Sequence, residues 1–242
     1  MKTKKAKTLR SVDIALVIGD GAAPEMMRPA IRIASDAAQK KDNLILVWED
    51  IPMGSSAFKL YGDTLPKGAI ERVEAIGTLF FGGVDDPKFD NTVGMVMPET
   101  KPEARCVIQL RKKLGLSLVF QNRHGAIAED FAKDAPTSKG LMACGAINPN
   151  TKAAMFANGA GTEPELADLD IANPIGCILA AAMMLRYIDA PKAASVIENA
   201  VMFVLGVGYR TADLVGPKGC DKSLLVGTRQ MGELVSTAIA KM

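Results

Sequence analysis

The sequence predicts an α/β protein in which a mainly parallel, twisted sheet is flanked by helices. Three observations carry this. Short apolar runs alternate with stretches of helical periodicity through the first third of the chain, the pattern of a sheet with crossover helices. The first apolar run stops at Gly19-Asp20-Gly21, a sharp strand-to-helix turn. Of the 242 residues 48% are apolar, enough to bury a core, yet there is no run of about 18 apolar residues to span a membrane.

The elements follow in order. Asp13 to Ile18 reads as a buried strand. Pro24 to Lys41 places Met26, Ala30, Ile33 and Ala37 at helical spacing. Pro24 suits a first turn, whereas Pro29 is expected to kink the helix or shift its start. Asn43 to Glu49 is a second strand, Lys67 to Ala75 a helix, and Thr78 to Phe81 a third strand closed by Gly82-Gly83. A helix over Glu103 to Leu114, a strand over Ser117 to Phe120, a short helix over Ala126 to Ala135 and a strand over Gly140 to Ile147 come next. Pro174 to Ile188 is a strongly apolar helix, followed by another over Pro191 to Leu205. The last helix, Thr228 to Lys241, repeats apolar residues at i, i+3, i+4, i+7 and i+8, with Thr228 as its expected N-cap. Residues 13–242 read as a single domain, preceded by a flexible basic tail over residues 1–12.

Composition excludes several roles. A net charge of +2 and 5% aromatic residues offer no nucleic-acid or membrane-surface signal. The opening MKTKKAKTLR holds five basic residues in ten but no apolar stretch, unlike a secretory signal. Cys106, Cys144, Cys177 and Cys220 lack metal-site or disulfide spacing and read as small buried hydrophobes of a reducing, cytoplasmic compartment. His124, the one histidine, has no neighbours that would make it part of a nucleophilic pair. Asp20, Asp85, Asp86 and Asp90 read as turn residues and solvated charges, so no metal site is assignable.

Five segments carry a family resemblance. Gly19-Asp20-Gly21-Ala22-Ala23-Pro24-Glu25 is similar to GDGIGPE, and residues 82–90 (GGVDDPKFD) to GAVGGPKWD. Residues 110–116 (LRKKLGL) are similar to LRKKLDL. Residues 148–156 and 171–187 are similar to NPETKAAMF and IANPIGTILSAAMMLRY. Residues 208–214 match GYRTADL, and residues 227–233 resemble GTxEMGD. All are in the order of the isocitrate/isopropylmalate (β-decarboxylating) dehydrogenases. The chain is therefore similar to that family, and to its nucleotide-binding domain in particular.

The resemblance also implies what is altered. The family inserts a second domain after the LRKKL stretch, carrying its acid-base lysine and tyrosine and its metal-binding aspartates. Here residues 124–139 stand in that place, too few for a domain with its own core. The family's adenine loop corresponds to residues 160–174. Gly161, Thr162 and Asn173 match it, Glu165 stands for the ribose-binding aspartate, and Ala160 and Leu169 replace a histidine and a lysine. An acidic residue at position 165 implies NAD rather than NADP. Arg111 matches a substrate arginine, and the second is either replaced by Gln121 or displaced to Arg123; Arg111 and Arg123 either bind a carboxylate or stand on solvated faces. The expectation is a non-catalytic nucleotide-binding, regulatory or accessory protein. The alternatives are an NAD-dependent oxidoreductase completed by a partner chain, and a structural subunit. In each case a protein partner or second copy would use the face left by the missing domain.

Overall fold

A computed structural model describes residues 9–84, 102–122, 139–216 and 219–242. Six strands form one sheet: β1 (Arg10–Val17), β2 (Leu44–Asp50), β3 (Thr78–Phe81), β4 (Leu118–Asn122), β5 (Ala143–Ile147) and β6 (Ala154–Asn158). Their order is β2-β1-β3-β6-β5-β4. The first four in that order are parallel, while β5 runs antiparallel to β6, and β4 to β5. The sheet is thus mainly parallel, as expected, with an antiparallel pair of strands at one edge. The cause is local: a parallel crossover needs about a dozen residues, and the short link between β5 and β6 permits only an antiparallel return.

Strand β1 begins three residues earlier than its apolar run. Arg10, Ser11 and Val12, assigned by pattern to the tail, pair with Leu44, Ile45 and Leu46 of β2. The partner strand supplies the order that the polar residues do not signal.

Helix α1 (Ala23–Asp42) opens with Pro24 and Glu25 in its first turn and runs unbroken through Pro29. Pro29 therefore does not shift the start of the helix, which lies six residues before it. The Pro29 ring nests against Gly232, where an added Cβ would lie 2.5 Å from Pro29 Cβ. Helices α2 (Ser55–Tyr61), α3 (Ala69–Ile76) and α4 (Pro102–Leu114) follow, then α5 (Ile175–Tyr187), α6 (Pro191–Val207) and α7 (Thr228–Lys241). Short α2 and β6 have no period long enough to be read from sequence. The cap of α7 is Gly227 rather than Thr228, whose hydroxyl instead donates to the Ala172 carbonyl at 2.6 Å.

Side-chain alternation divides the core in two. Ile14, Leu16, Phe80 and Phe156 face α1, α5, α6 and α7. Ala15, Val17, Leu79, Phe81 and Met155 face the thinner layer holding α3 and α4. Helix α5 lies against β5 and β6 and is buried without interruption from Ile175 to Leu185. Helix α6 packs on α1, α5 and α7 and forms an outer layer.

Candidate functional site

In an open α/β sheet, ligands collect at the carboxyl ends of parallel strands where the strand order reverses. Here that point lies between β1 and β3, since β1 is followed in the chain by β2 on one side and β3 lies on the other. Three loops leave this edge. The β1 turn, the residues after β3 and the loop after β6 are laced together by their backbones. Asp20 N–H donates to Gly83 O at 3.1 Å and Ala22 N–H to Thr162 O at 2.7 Å. Gly21 sits at φ +59°, and a Cβ there would approach Thr162 O to 2.6 Å. Glycine is needed so that two backbones can touch. Asp20 is only 4% exposed, and its carboxylate accepts from Ser55 N–H at 2.9 Å and Ser55 Oγ–H at 2.6 Å. It holds the start of α2 and is not the solvated turn charge expected from sequence. Asp85, Asp86 and Asp90 lie outside the described residues.

The β6 loop differs from the β1 turn in being open at one end. Asn158 closes β6 and accepts Gly161 N–H at 3.0 Å through Oδ1, while its amide donates to the buried Cys177 sulfur at 3.3 Å. Burial pushes the Cys177 thiol up to about 12, so it stays a neutral packing group. Gly161 adopts φ +86° with no atom within 4 Å of where a Cβ would stand, so the space above its backbone is free. Thr162 is buried. Glu165 is exposed in the first turn of the 3₁₀ segment Pro164–Leu166, with no described side chain ion-paired to it.

The far end of the loop is tied down. Glu25, in the first turn of α1, accepts the backbone N–H of Asp168 and that of Asp170, the latter at 3.1 Å. Asp168 and Asp170 are left-handed, at φ +64° and +55°. Asp170 in turn serves α7: its carbonyl accepts Thr228 N–H at 3.0 Å and its Oδ1 accepts Arg229 N–H at 2.8 Å. Asn173, 3% exposed, accepts Ile175 N–H at 3.0 Å at the start of α5 and donates to Asp213 at 3.0 Å. Both ends of its carboxamide are therefore used within the chain. Leu169 and Ile171 flank Asp170 and are 56% and 42% exposed.

Gly161, Thr162, Glu165 and Asn173 thus belong to one loop, with Asn173 at its root. Arg111 stands apart, exposed on α4, whose core residues lie on the opposite face of the sheet. Its charge is felt at Cys144, whose thiol is nonetheless raised by burial. Arg123 lies outside the described residues, as do His124 and the short helix expected over Ala126 to Ala135. Sequence reasoning did not anticipate the anchoring residues Glu25, Asn158 and Asp170. A cleft of about 450 Å³ opens behind the anchored end, between Arg28 and Arg32 of α1 and Arg229 of α7. Among the described residues no group of three or more His, Cys, Asp or Glu is placed to hold a metal ion, and no helix is long and apolar enough to cross a membrane.

A family model for isocitrate/isopropylmalate dehydrogenase matches residues 13–118 and 117–235. The 3-isopropylmalate dehydrogenase of Cupriavidus metallidurans is 42% identical over 123 residues, which is 50% of this chain and 33% of that protein. That of Thermosynechococcus vestitus is 38% identical over 126 residues, 52% of this chain and 34% of the relative. The match therefore spans about a third of the curated relatives' length. Among solved structures, isocitrate dehydrogenase from Methylococcus capsulatus superposes with a TM-score of 0.68 at 20% identity, covering 94% of this chain and 99% of that one. A β-decarboxylating dehydrogenase from Thermococcus kodakarensis gives 0.67 at 18%, covering 95% and 96%. At those identities the structures establish a shared fold.

Proposed function

The chain belongs to the isocitrate/isopropylmalate dehydrogenase family, and from that premise we propose that it binds a dinucleotide, NAD, without turning over a substrate alone. The observation that carries this is the 160–174 loop, held in shape by Glu25, Asn158 and Asp170 yet open above Gly161 and at Glu165. The Gly161 backbone offers close approach to a bulky ligand, Thr162 shapes the floor, and the Glu165 carboxylate is free to accept ribose hydroxyls. A negative charge at position 165 opposes a 2′-phosphate, which favours NAD over NADP. When bound, NAD supplies a hydride acceptor; the chain's own residues bind and orient it. Asn173 keeps the loop root fixed.

Turnover needs an acid-base pair and carboxylates converging on a cation. Only residues 123–142 separate β4 from β5, where the family's second domain would carry them. This short connection is what supports an accessory or regulatory role.

Thermal-shift titration with NAD, NADH, NADP and ATP, with and without magnesium, tests the reading. A ligand bound only by the folded state at a hundredfold excess over Kd adds about 2.7 kcal/mol. NAD should raise the melting temperature more than NADP. Absence of a shift with every nucleotide would remove both the sensing and the dehydrogenase roles.

A second reading, an oxidoreductase completed by a partner chain, draws support from the edge strand β4. Leu118, Val119 and Phe120 are 52%, 49% and 37% exposed on the strand that ends the sheet among the described residues. Hydride transfer from a 2-hydroxy acid that appears only on mixing with a full-length relative would favour this reading over the first.

A further inference from the structure

Helix α1 carries two exposed arginines one turn apart, Arg28 and Arg32. Residues four apart share one helix face, with Cβ atoms about 6 Å from each other. Two like charges at that spacing destabilise the helix unless an opposite charge lies between them. Among the described residues no carboxylate is ion-paired to either arginine. Glu25, three residues before Arg28, is committed to the backbone N–H groups of Asp168 and Asp170.

The two arginines line the cleft of about 450 Å³ together with a third, Arg229 of α7. Arg229 is loosely held: its guanidinium lies 3.9 Å from Asp170 Oδ2, and its side chain is 80% exposed. Between them Pro29 packs closely on Gly232 of α7, which fixes the spacing of the two helices and so of the roots of the three side chains. Guanidinium groups keep their charge at any working pH. The cleft therefore gathers three permanent cations from two rigid elements. The N-terminal end of α7 is not what makes the site, since its Thr228 and Arg229 amides are already taken by Asp170.

We propose that this cleft binds a small phosphate monoester. Such a group carries close to two negative charges at neutral pH and three strong acceptor oxygens. It can meet guanidinium groups arriving from two helices at once, whereas a carboxylate presents two oxygens in one plane and satisfies a single fork. The volume falls in the range of sites for small organic ligands, so there is room for more than the phosphate. Asp170 and Glu233 also line the cleft. Their charges oppose a second phosphate, and their oxygens accept hydrogen bonds from hydroxyl groups. The chemical class is a phosphorylated sugar or polyol. Glu25 and Asp170 border this cleft and also tie down the 160–174 loop, so a bound ester steadies that loop from behind. The site does not rest on the nucleotide reading, and no dinucleotide enters its test.

Isothermal titration calorimetry of the full chain with ribose 5-phosphate, and with ribose as the unphosphorylated control, tests this. Ribose 5-phosphate should bind with a Kd below about 1 mM, and ribose should not bind. Arg28→Gln and Arg229→Gln, each with the wild-type circular dichroism spectrum, should each weaken binding about tenfold. Glutamine matches arginine in helix propensity, and Arg32→Gln is the further variant should either fail to fold. Lys192→Gln removes an exposed cation of α6 that does not line the cleft and should leave the Kd unchanged. Saturating ester should also slow amide exchange at Asp168 and Asp170. Absence of binding, equal binding of ribose, or a Kd indifferent to every arginine variant overturns the proposal. So does an equal loss with Lys192→Gln, exchange at Asp168 and Asp170 that stays unslowed, or binding confined to vesicles carrying phosphatidylinositol phosphate.

Discussion

Helices α5 and α6 follow one another in the chain, separated by three residues, and draw on much the same apolar residues. Helix α5 is enclosed from Ile175 to Leu185, between the sheet on one side and α1 and α6 on the other. Among the described residues, helix α6 packs through one face and leaves Phe203 and Val207 exposed on the other. Composition alone would assign them the same place. The difference shows that an apolar helix states a demand for burial, and the fold decides whether the chain itself meets it. Helix α5 is satisfied by its own protein; α6 carries an unmet demand.

The largest effect that could break this comparison is in the core. Leu179→Ala in α5 should cost about 2–5 kcal/mol in urea unfolding, because it opens a cavity in a closed environment. Phe203→Ala should stay within about 0.5 kcal/mol of wild type. Equal losses at the two sites would mean that α6 is already enclosed and that its exposure has been misread.

The loop anchors come next. Asp170→Ala removes the acceptor for Arg229 N–H and should cost about 0.5–2 kcal/mol, the usual worth of a helix cap. Glu25→Ala should speed amide exchange at Asp168 and Asp170 selectively, read by hydrogen exchange. Uniform loss of protection across α1 and α7 would show that Glu25 supports the domain rather than the loop. Glu165→Ala, in contrast, should leave the melting temperature unchanged and reduce the NAD-induced shift.

The smallest effect concerns Glu49. Its ion pair and hydrogen bonds with Arg72 hold its carboxyl below the ordinary glutamate range. A depressed folded pKa gives stability that is present at neutral pH and lost as pH falls through that lowered value. The pair is at the surface, so the contribution is small. Glu49→Gln should flatten the acid limb of a stability-against-pH curve slightly; an unchanged limb would show that the pair contributes nothing.

Legibility from sequence followed the range of the interactions. The strands β1 to β3, and α5 to α7, could be read because each repeats its own period over enough residues. Helix α2 could not, because its start is held by Asp20, 35 positions earlier. The unbroken course of α1 through Pro29 depends on Gly232, two hundred residues on. The open end of the candidate site, Gly161 to Glu165, was legible as a family pattern. Its anchored end was not: Glu25 meets Asp168 and Asp170 across more than 140 positions of chain. Nothing in a short window distinguishes such a glutamate from a favourable first-turn charge.

The anchoring of the 160–174 loop bears on proteolysis. Long surface loops are ordinarily where a protease cuts first, since the enzyme must draw an extended stretch of backbone into its cleft. This loop is fifteen residues long, but the amides of Gly161, Asp168 and Asp170 are each held by a side chain from elsewhere in the chain or from the strand end. To become a substrate it must first let go of α1, which makes its nicking rate a gauge of that local release.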